Sequence, residues 1–546
     1  MSVAQSKIAY RRLRAPFASG QSLVDPEVSS VGQLIAENRT GWNQATTELF
    51  GQPLRHLAIE ARAELIEKAT AYTGQYRDVE NYEADGNCQL ILSGHQPQLF
   101  HAGVWFKNFL IHRLAMEQKA ISINLVIDND LCRSPSLRVP TGTAQNPSSE
   151  AIAYDATVSP IPYEERTIQD ENLFSDFGQR AADSIGELVH DPIIKELWPL
   201  ATAVAKRTNN LGECLSQARH GLEATWGLRT LELPLGAAVE SDAFRLFAAQ
   251  VLLHIDDFGK AYNDRIEEYR RVNKIRSHSH PVPLLSRPSG PQGDWFEAPF
   301  WIWNSEQPER RAVEVQLHGN HFIIRPAGTS NELRLDIHSS SSVQDVTAAF
   351  AKLREQGWKL RPRALMTTMY ARLFLSDLFV HGIGGAKYDQ LTDALVGDWF
   401  SMAPPAFLTA TATLKLPIAR APIEQDDVRQ IEGLIRELHY HPDCSEPDVV
   451  HIDVEKFEEL VNQKKKLLRA IPPKRQKKNW NNEIQSLNEQ LREYVSRSIE
   501  TLAKERERLV SELRRDSLLS SREISFCLFP RKSLRQSLLE ISCRAS

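Results

Sequence analysis

Two apolar runs either side of one helical pattern constrain this chain more than anything else in it. Leu90-Ile91-Leu92 reads as a short buried strand that breaks at Ser93-Gly94. From Gly103 onward, Phe106, Phe109, Leu110 and Leu114 recur at helical spacing, with an end expected near Gln118. Ile121 to Ile127 then reads as a second strand. Strand, helix and strand in that order form a βαβ unit, which pairs its strands in parallel through a right-handed crossover. The sequence therefore predicts an α/β fold with a Rossmann-like parallel-sheet core. In such a sheet the loops after the strands open on one edge, the edge where ligands bind.

Polar residues gather at that edge. After the first strand come Gly94-His95-Gln96-Pro97-Gln98-Leu99-Phe100-His101, and Lys107 follows in the first turns of the helix. A helix N-terminus there presents unpaired N–H groups and a positive dipole end, which suit an anion. The plainer reading is a turn-to-helix connector with solvated histidines, but two imidazoles, an amide and a lysine are a dense set for a connector. His95 is expected in a turn just past the strand, where its loss would leave folding intact. The second strand ends in Asp128-Asn129-Asp130. Carboxylates at that place can hold an amine or hydroxyl or act as a base; Asp and Asn also serve turns and helix caps.

The stretch Leu360–Phe400 repeats the logic. Arg361-Pro362-Arg363 precedes a helix from about Ala364 to Leu375, and Leu378-Phe379-Val380 reads as a strand. His381-Gly382-Ile383-Gly384-Gly385 then forms a loop, with a helix expected from near Lys387. The glycines let backbone approach a ligand closely, and their N–H groups can cradle a phosphate or carboxylate. The stretch matches neither the P-loop nor the dinucleotide fingerprint. Arg361, Arg363 and Lys387 are suited to carboxylates or phosphate. Phe407–Leu414 supplies one more strand.

At 546 residues the chain exceeds a single core, since about 150 residues per domain is usual. Residues 1–165 read as the N-terminal part of the core, mostly helical before about residue 85, and residues 166–280 as an inserted helical domain whose clearest helix is Ala238–Phe258. Residues 281–448 read as the second part of the core, with a β-hairpin turning at Gly319-Asn320. Residues 449–516 read as an antiparallel coiled-coil hairpin. Its helices, Ile452–Ile471 and Asn481–Arg515, are separated by Pro472-Pro473 and the basic turn Lys474–Lys478. Residues 517–546 form a tail expected to dock on the core through Phe526–Pro530. A net charge of −5 supplies no global basic field for nucleic acid. Six scattered cysteines fit a reducing cytoplasm better than a zinc knuckle or a disulfide scaffold. No spaced ligand set demands a metal. No run approaches the roughly 18 apolar residues of a membrane span, and the N-terminus carries no secretory pattern.

Gly94-His95-Gln96-Pro97 with Leu99-Phe100, the strand ending at Asp128, Arg361-Pro362, Gly384-Gly385 and a late coiled coil occur in one order. In that order they resemble the bacillithiol biosynthesis cysteine-adding enzyme family. Residues 88–132 and 358–416 carry the resemblance, which is architectural elsewhere. It implies a Rossmann-like core with helical insertions, a coiled coil that makes a homodimer, and a core that can hold an adenine nucleotide. It also implies a ligase that joins cysteine to glucosaminyl-malate. On this reading His95 and His381 polarise or transfer protons, and Asp128 or Asp130 holds the amine or hydroxyl partner. Gly94, Gln96, His101, Lys107, Arg361, Arg363, Gly382, Gly384, Gly385 and Lys387 take the small anionic substrate. Three departures stand out: His95 where the family usually has glutamine, no histidine in the acidic run after Asp128, and Lys387 where a glutamate usually follows the glycines. Two rival readings accompany this one. The first is a nucleotidyl-transferase-like enzyme with another small anionic substrate, since His95 and His101 before a helix resemble the histidine signature of class I aminoacyl-tRNA synthetases. The second is a non-catalytic coiled-coil interaction protein.

Overall fold

A computed structural model of the chain describes residues 8–80, 82–276, 282–290, 293–418, 425–448 and 453–544. Its central sheet has six strands: β1 (Gln21–Asp25), β2 (Leu90–His95), β3 (Ile121–Val126), β4 (Leu231–Pro234), β5 (Leu378–His381) and β6 (Phe407–Thr413). They lie side by side in the order β1-β6-β5-β2-β3-β4. β2 to β6 run parallel, and β1 closes one edge antiparallel to β6. Numbered along the chain, the parallel strands read 5-4-1-2-3, the doubly wound order with its switch point between β2 and β5. Every residue of β3 and of β6 is buried, as expected of strands covered on both faces.

Two of these strands were not expected. β1 lies in the segment read as mostly helical, and β4 interrupts the block read as an inserted helical domain. β4 is short, and its Leu-Glu-Leu-Pro carries a glutamate that no surface pattern would place inside; Glu232 is fully buried. The block 166–280 therefore contributes to the core instead of forming a separate body. The helix expected over Ala238–Phe258 is three pieces, Leu235–Ala238, Asp242–Leu253 and Ile255–Val272, the second opened by a Ser241 cap on the Phe244 N–H. A second sheet, five-stranded and antiparallel, is built from Phe296–Asn304, Gln307–His318, His321–Pro326, Leu333–Leu335 and Trp358–Pro362. Its hairpin turns at Gly319-Asn320, where His318 pairs with His321.

The chain divides into two compact units. One comprises Met1–Val139, Glu150–Leu416 and Arg522–Ser546, the other Pro140–Ser149 and Pro417–Ser521. Among its described residues the second unit holds four α-helices, Gln425–Tyr440, Val454–Arg469, Lys477–Tyr494 and Ser496–Leu519, where two were expected. Val449–Ile452 lie outside the described residues, so the expected start at Ile452 is not described; the helix opens at Val454 behind an Asp453 cap. The long helix expected to Arg515 breaks at Val495. Phe457, Leu460 and Val461 pack on Leu487 and Leu491. Gln425–Tyr440, assigned by sequence to the core, packs instead on the last helix, with Arg506 on Glu432 at 2.8 Å. Among the described residues no helix is long and apolar enough to cross a membrane.

Candidate functional site

The β2–β3 ladder runs through Gly94 opposite Leu125 and His95 opposite Val126, so His95 ends the strand instead of entering a turn. It is only 5% exposed, so the premise that it stands in an open turn does not hold. Its ring sits edge-on to Phe100 at 4.4 Å. Nδ1 lies 3.1 Å from the Gln96 carbonyl and Nε2 3.3 Å from Asn108 Oδ1. The Asn108 amide is oriented by its own N–H, which donates to Glu223 Oε1 at 2.8 Å. Burial first, then the charges of Arg219 and Lys107, hold His95 well below the ordinary imidazole range, so it stays neutral near pH 7.

Asn108 lies on α1 (Ala102–Gln118) and Glu223 on α2 (Leu211–Thr225). Glu223 also accepts from the Trp105 indole and from Arg219, both at 2.5 Å. Arg219 reaches on to Glu232 of β4, which accepts from Asn124 at 2.7 Å. Every member of this chain is buried. Burial raises Glu232 to about 7 against the pull of Arg219. The sequence reading missed this polar spine behind His95; the one trace of it is polar residues on helices otherwise made for a core.

His101 caps α1, its Nδ1 accepting from the Gly103 N–H at 3.1 Å. A Cβ on Gly103 would stand 2.0 Å from the Ala412 carbonyl, so only glycine lets the helix start pass β6. One turn on, the buried Lys107 donates from Nζ to the Gly94 carbonyl at 2.7 Å, and burial lowers it to about 8.

On the other side of the switch point, β5 ends at His381 and Gly382 caps α3 (Ile383–Phe400). The helix starts four residues earlier than expected, because Gly382 takes the extended cap conformation directly after the strand. Gly384 and Gly385 are thus first-turn residues, whose N–H groups have no partner within the helix. His381 Nε2 lies 2.8 Å from Asp389 Oδ2, and Asp389 also takes Arg372 at 2.6 Å and the Thr368 hydroxyl at 2.8 Å. Burial raises the Asp389 carboxyl, but Arg372 and His381 outweigh it and hold it well below the usual range.

These loops enclose one cleft of about 480 Å³. Gly94, His95, Gln96, His101 and Lys107 line it from β2 and α1, and His381, Gly382, Gly384, Gly385 and Lys387 from β5 and α3. Arg14, Thr411 and Arg522 complete the wall, Arg522 donating to the Thr411 hydroxyl at 3.1 Å. Among the described residues no Asp or Glu lines the cleft, against four cations: Arg14, Lys107, Lys387 and Arg522.

The other four expected site residues do not line it. Asp128 accepts from the Gly236 N–H at 2.9 Å, and burial, then neighbouring Glu164, raise it to about 8. Asp130 pairs with Arg310 at 3.3 Å and touches the site only through Gln96, whose amide is 3.4 Å away. Arg361 is bound by Glu164 at 2.7 Å and Glu240 at 2.9 Å, and Arg363 by Glu297 at 2.7 Å over the Trp301 ring. The physical reason is topological. Arg361 lies in the antiparallel strand Trp358–Pro362 and Arg363 directly follows it, so the carboxyl-edge rule for the parallel sheet does not apply to them. Among the described residues no cluster of three or more His, Cys, Asp or Glu could hold a metal.

No family model and no curated protein matches the chain. Solved structures that align along it include tryptophanyl-tRNA synthetase of Plasmodium falciparum, at 10% identity over 93% of this chain and 99% of that one, with a TM-score of 0.22. Another is a product-bound parasite tRNA synthetase, at 11% identity over 94% and 98%, with a TM-score of 0.21. At those scores neither likeness defines the fold; the strand order does.

Proposed function

We propose that the cleft binds a small polyanion and that the chain is a cytoplasmic ligase of the bacillithiol cysteine-adding kind. It would form a carbon–nitrogen bond between a cysteine carboxyl and the amine of a glucosaminyl-malate-like acceptor. The observation that carries the reading is the wall of the cleft: four cations and the N-termini of α1 and α3, with no lining carboxylate among the described residues. A dicarboxylate such as the malyl group suits Lys387, Arg522 and the N–H groups of Gly384 and Gly385. The phosphates of an adenine nucleotide fit the same donors, with Arg14 at the rim. Bound there, a nucleotide would supply the activated carboxylate that amide formation requires. Neutral His95, fixed by Asn108 and Phe100, shapes the floor, and His381 is held by Asp389. The four-helix unit would carry the homodimer contact, in the place of the coiled coil that the resemblance implies.

The test is direct. Incubation with cysteine, glucosaminyl-malate and ATP should yield the cysteinyl conjugate by mass spectrometry. Absence of conjugate, with the acceptor bound, would exclude this acceptor.

A further inference from the structure

Three histidines and a buried lysine line the cleft, and each histidine already has a partner at one or both ring nitrogens. His95 has an acceptor at each ring nitrogen, the Gln96 carbonyl and Asn108 Oδ1. His101 has Nδ1 committed to the α1 cap, and its Nε2 lies 3.8 Å from Glu523. His381 already has a carboxylate at Nε2, Asp389 Oδ2 at 2.8 Å, and glycine at 385 leaves the room that its Nδ1 edge needs. Lys107 differs. Among the described residues its hydrogen-bond partner is the Gly94 carbonyl, which needs a single N–H and leaves the rest of the amine for the cleft it lines.

We propose that Lys107 is the catalytic proton acceptor of this cleft. As a substrate amine attacks an activated acyl carbon, the nitrogen lone pair forms the new N–C bond. The leaving group, a phosphate-type oxyanion, departs with the C–O electron pair, and the surplus proton passes from the amine nitrogen to Nζ. The step rests on the reading above that an amine is acylated here. Among the described residues no carboxylate pairs with Nζ, and burial is what acts on it. His95 and His101 lie close enough to feel its charge, and Arg14, His381, Lys387 and Arg522 line the same cleft. The acids beside this set are Glu523, 3.5 Å from Arg522 and 3.8 Å from His101 Nε2, and Asp389, 2.8 Å from His381 Nε2, and neither lines the cleft. With burial lowering Lys107 to about 8, a usable fraction of neutral amine exists near pH 7.5.

Labelling of the full chain with pyridoxal 5′-phosphate tests this without knowledge of the substrate. The aldehyde condenses with a neutral lysine to an imine and water, and borohydride then reduces the C=N bond to a stable amine. Peptide mapping should find Lys107 as the dominant site, with yield half-maximal near pH 8 instead of about 10, where ordinary lysines titrate. An unlabelled Lys107, or one labelled with an ordinary lysine profile, would overturn the proposal. Pyrophosphate protection separates the two readings: Lys107 labelled but unprotected upholds the amine and sinks the anion site. Once turnover is measurable, Lys107→Arg should keep anion binding and lose about 100-fold or more in kcat. Near-normal kcat in that variant would also overturn the proposal.

Discussion

Adjacent glycines in the first turn of α3 make opposite demands. Gly384 has open space where a Cβ would sit, whereas at Gly385 the Cβ would press on the His381 ring. Gly384→Ala should therefore be neutral or stabilising by up to about 1 kcal/mol, the helix-propensity gain. Gly385→Ala should destabilise by about 1–3 kcal/mol, the usual cost of overpacking, and should displace His381. Thermal melts of the pair decide it. Asp128 gives a pH prediction. Its folded carboxyl titrates at about 8 against roughly 4 unfolded, so the folded chain holds a proton that the unfolded chain releases across that window. That contribution is complete below about pH 4 and is lost as pH rises toward 8, with a slope of at most about 1.4 kcal/mol per unit. Asp128→Asn keeps the acceptor for Gly236 and should flatten the stability curve from pH 4 to 8; an unchanged curve would show that Asp128 ionises normally. Glycines, histidines and lysine at the cleft were legible because each follows an apolar run. Asn108, Glu223 and Asp389 were not, because a polar residue on a helix reads as solvent-facing until its burial is known.

Strands and helices were legible where their apolar runs were long. β2, β3, β5, β6 and the helix between β2 and β3 fall where periodicity puts them, and the Gly319-Asn320 hairpin turns as its sequence demands. β1 and β4 escaped because short strands gain their identity from the ladder they join. The C-terminal segment is the element whose value only the fold reveals. Its Phe526 N–H donates to the Phe100 carbonyl at 3.0 Å, and its ring lies 4.3 Å from that of Trp105. Arg522 stands four residues earlier, in the cleft wall. Phe526→Ala should cost about 3–5 kcal/mol, as for other buried phenylalanines, and should weaken anion binding through Arg522. Chemical denaturation with a parallel ligand titration would show both effects; a stability loss with unchanged affinity would mean that Arg522 is placed independently.

At the level of the whole molecule, the helical unit leaves Leu468 43% and Ile471 69% exposed. If that unit dimerises, Leu468→Glu with Ile471→Glu should convert a dimer to a monomer in light scattering. The central claim concerns the switch point: the doubly wound order sets two helix N-termini and four cations around one cleft. Calorimetric titration with pyrophosphate, at low and high salt, measures this most directly. The account predicts one site per chain that weakens as salt rises, and weakens at least tenfold in Lys387→Ala with Arg522→Ala. Absence of binding at low salt, or binding indifferent to losing both cations, would contradict it.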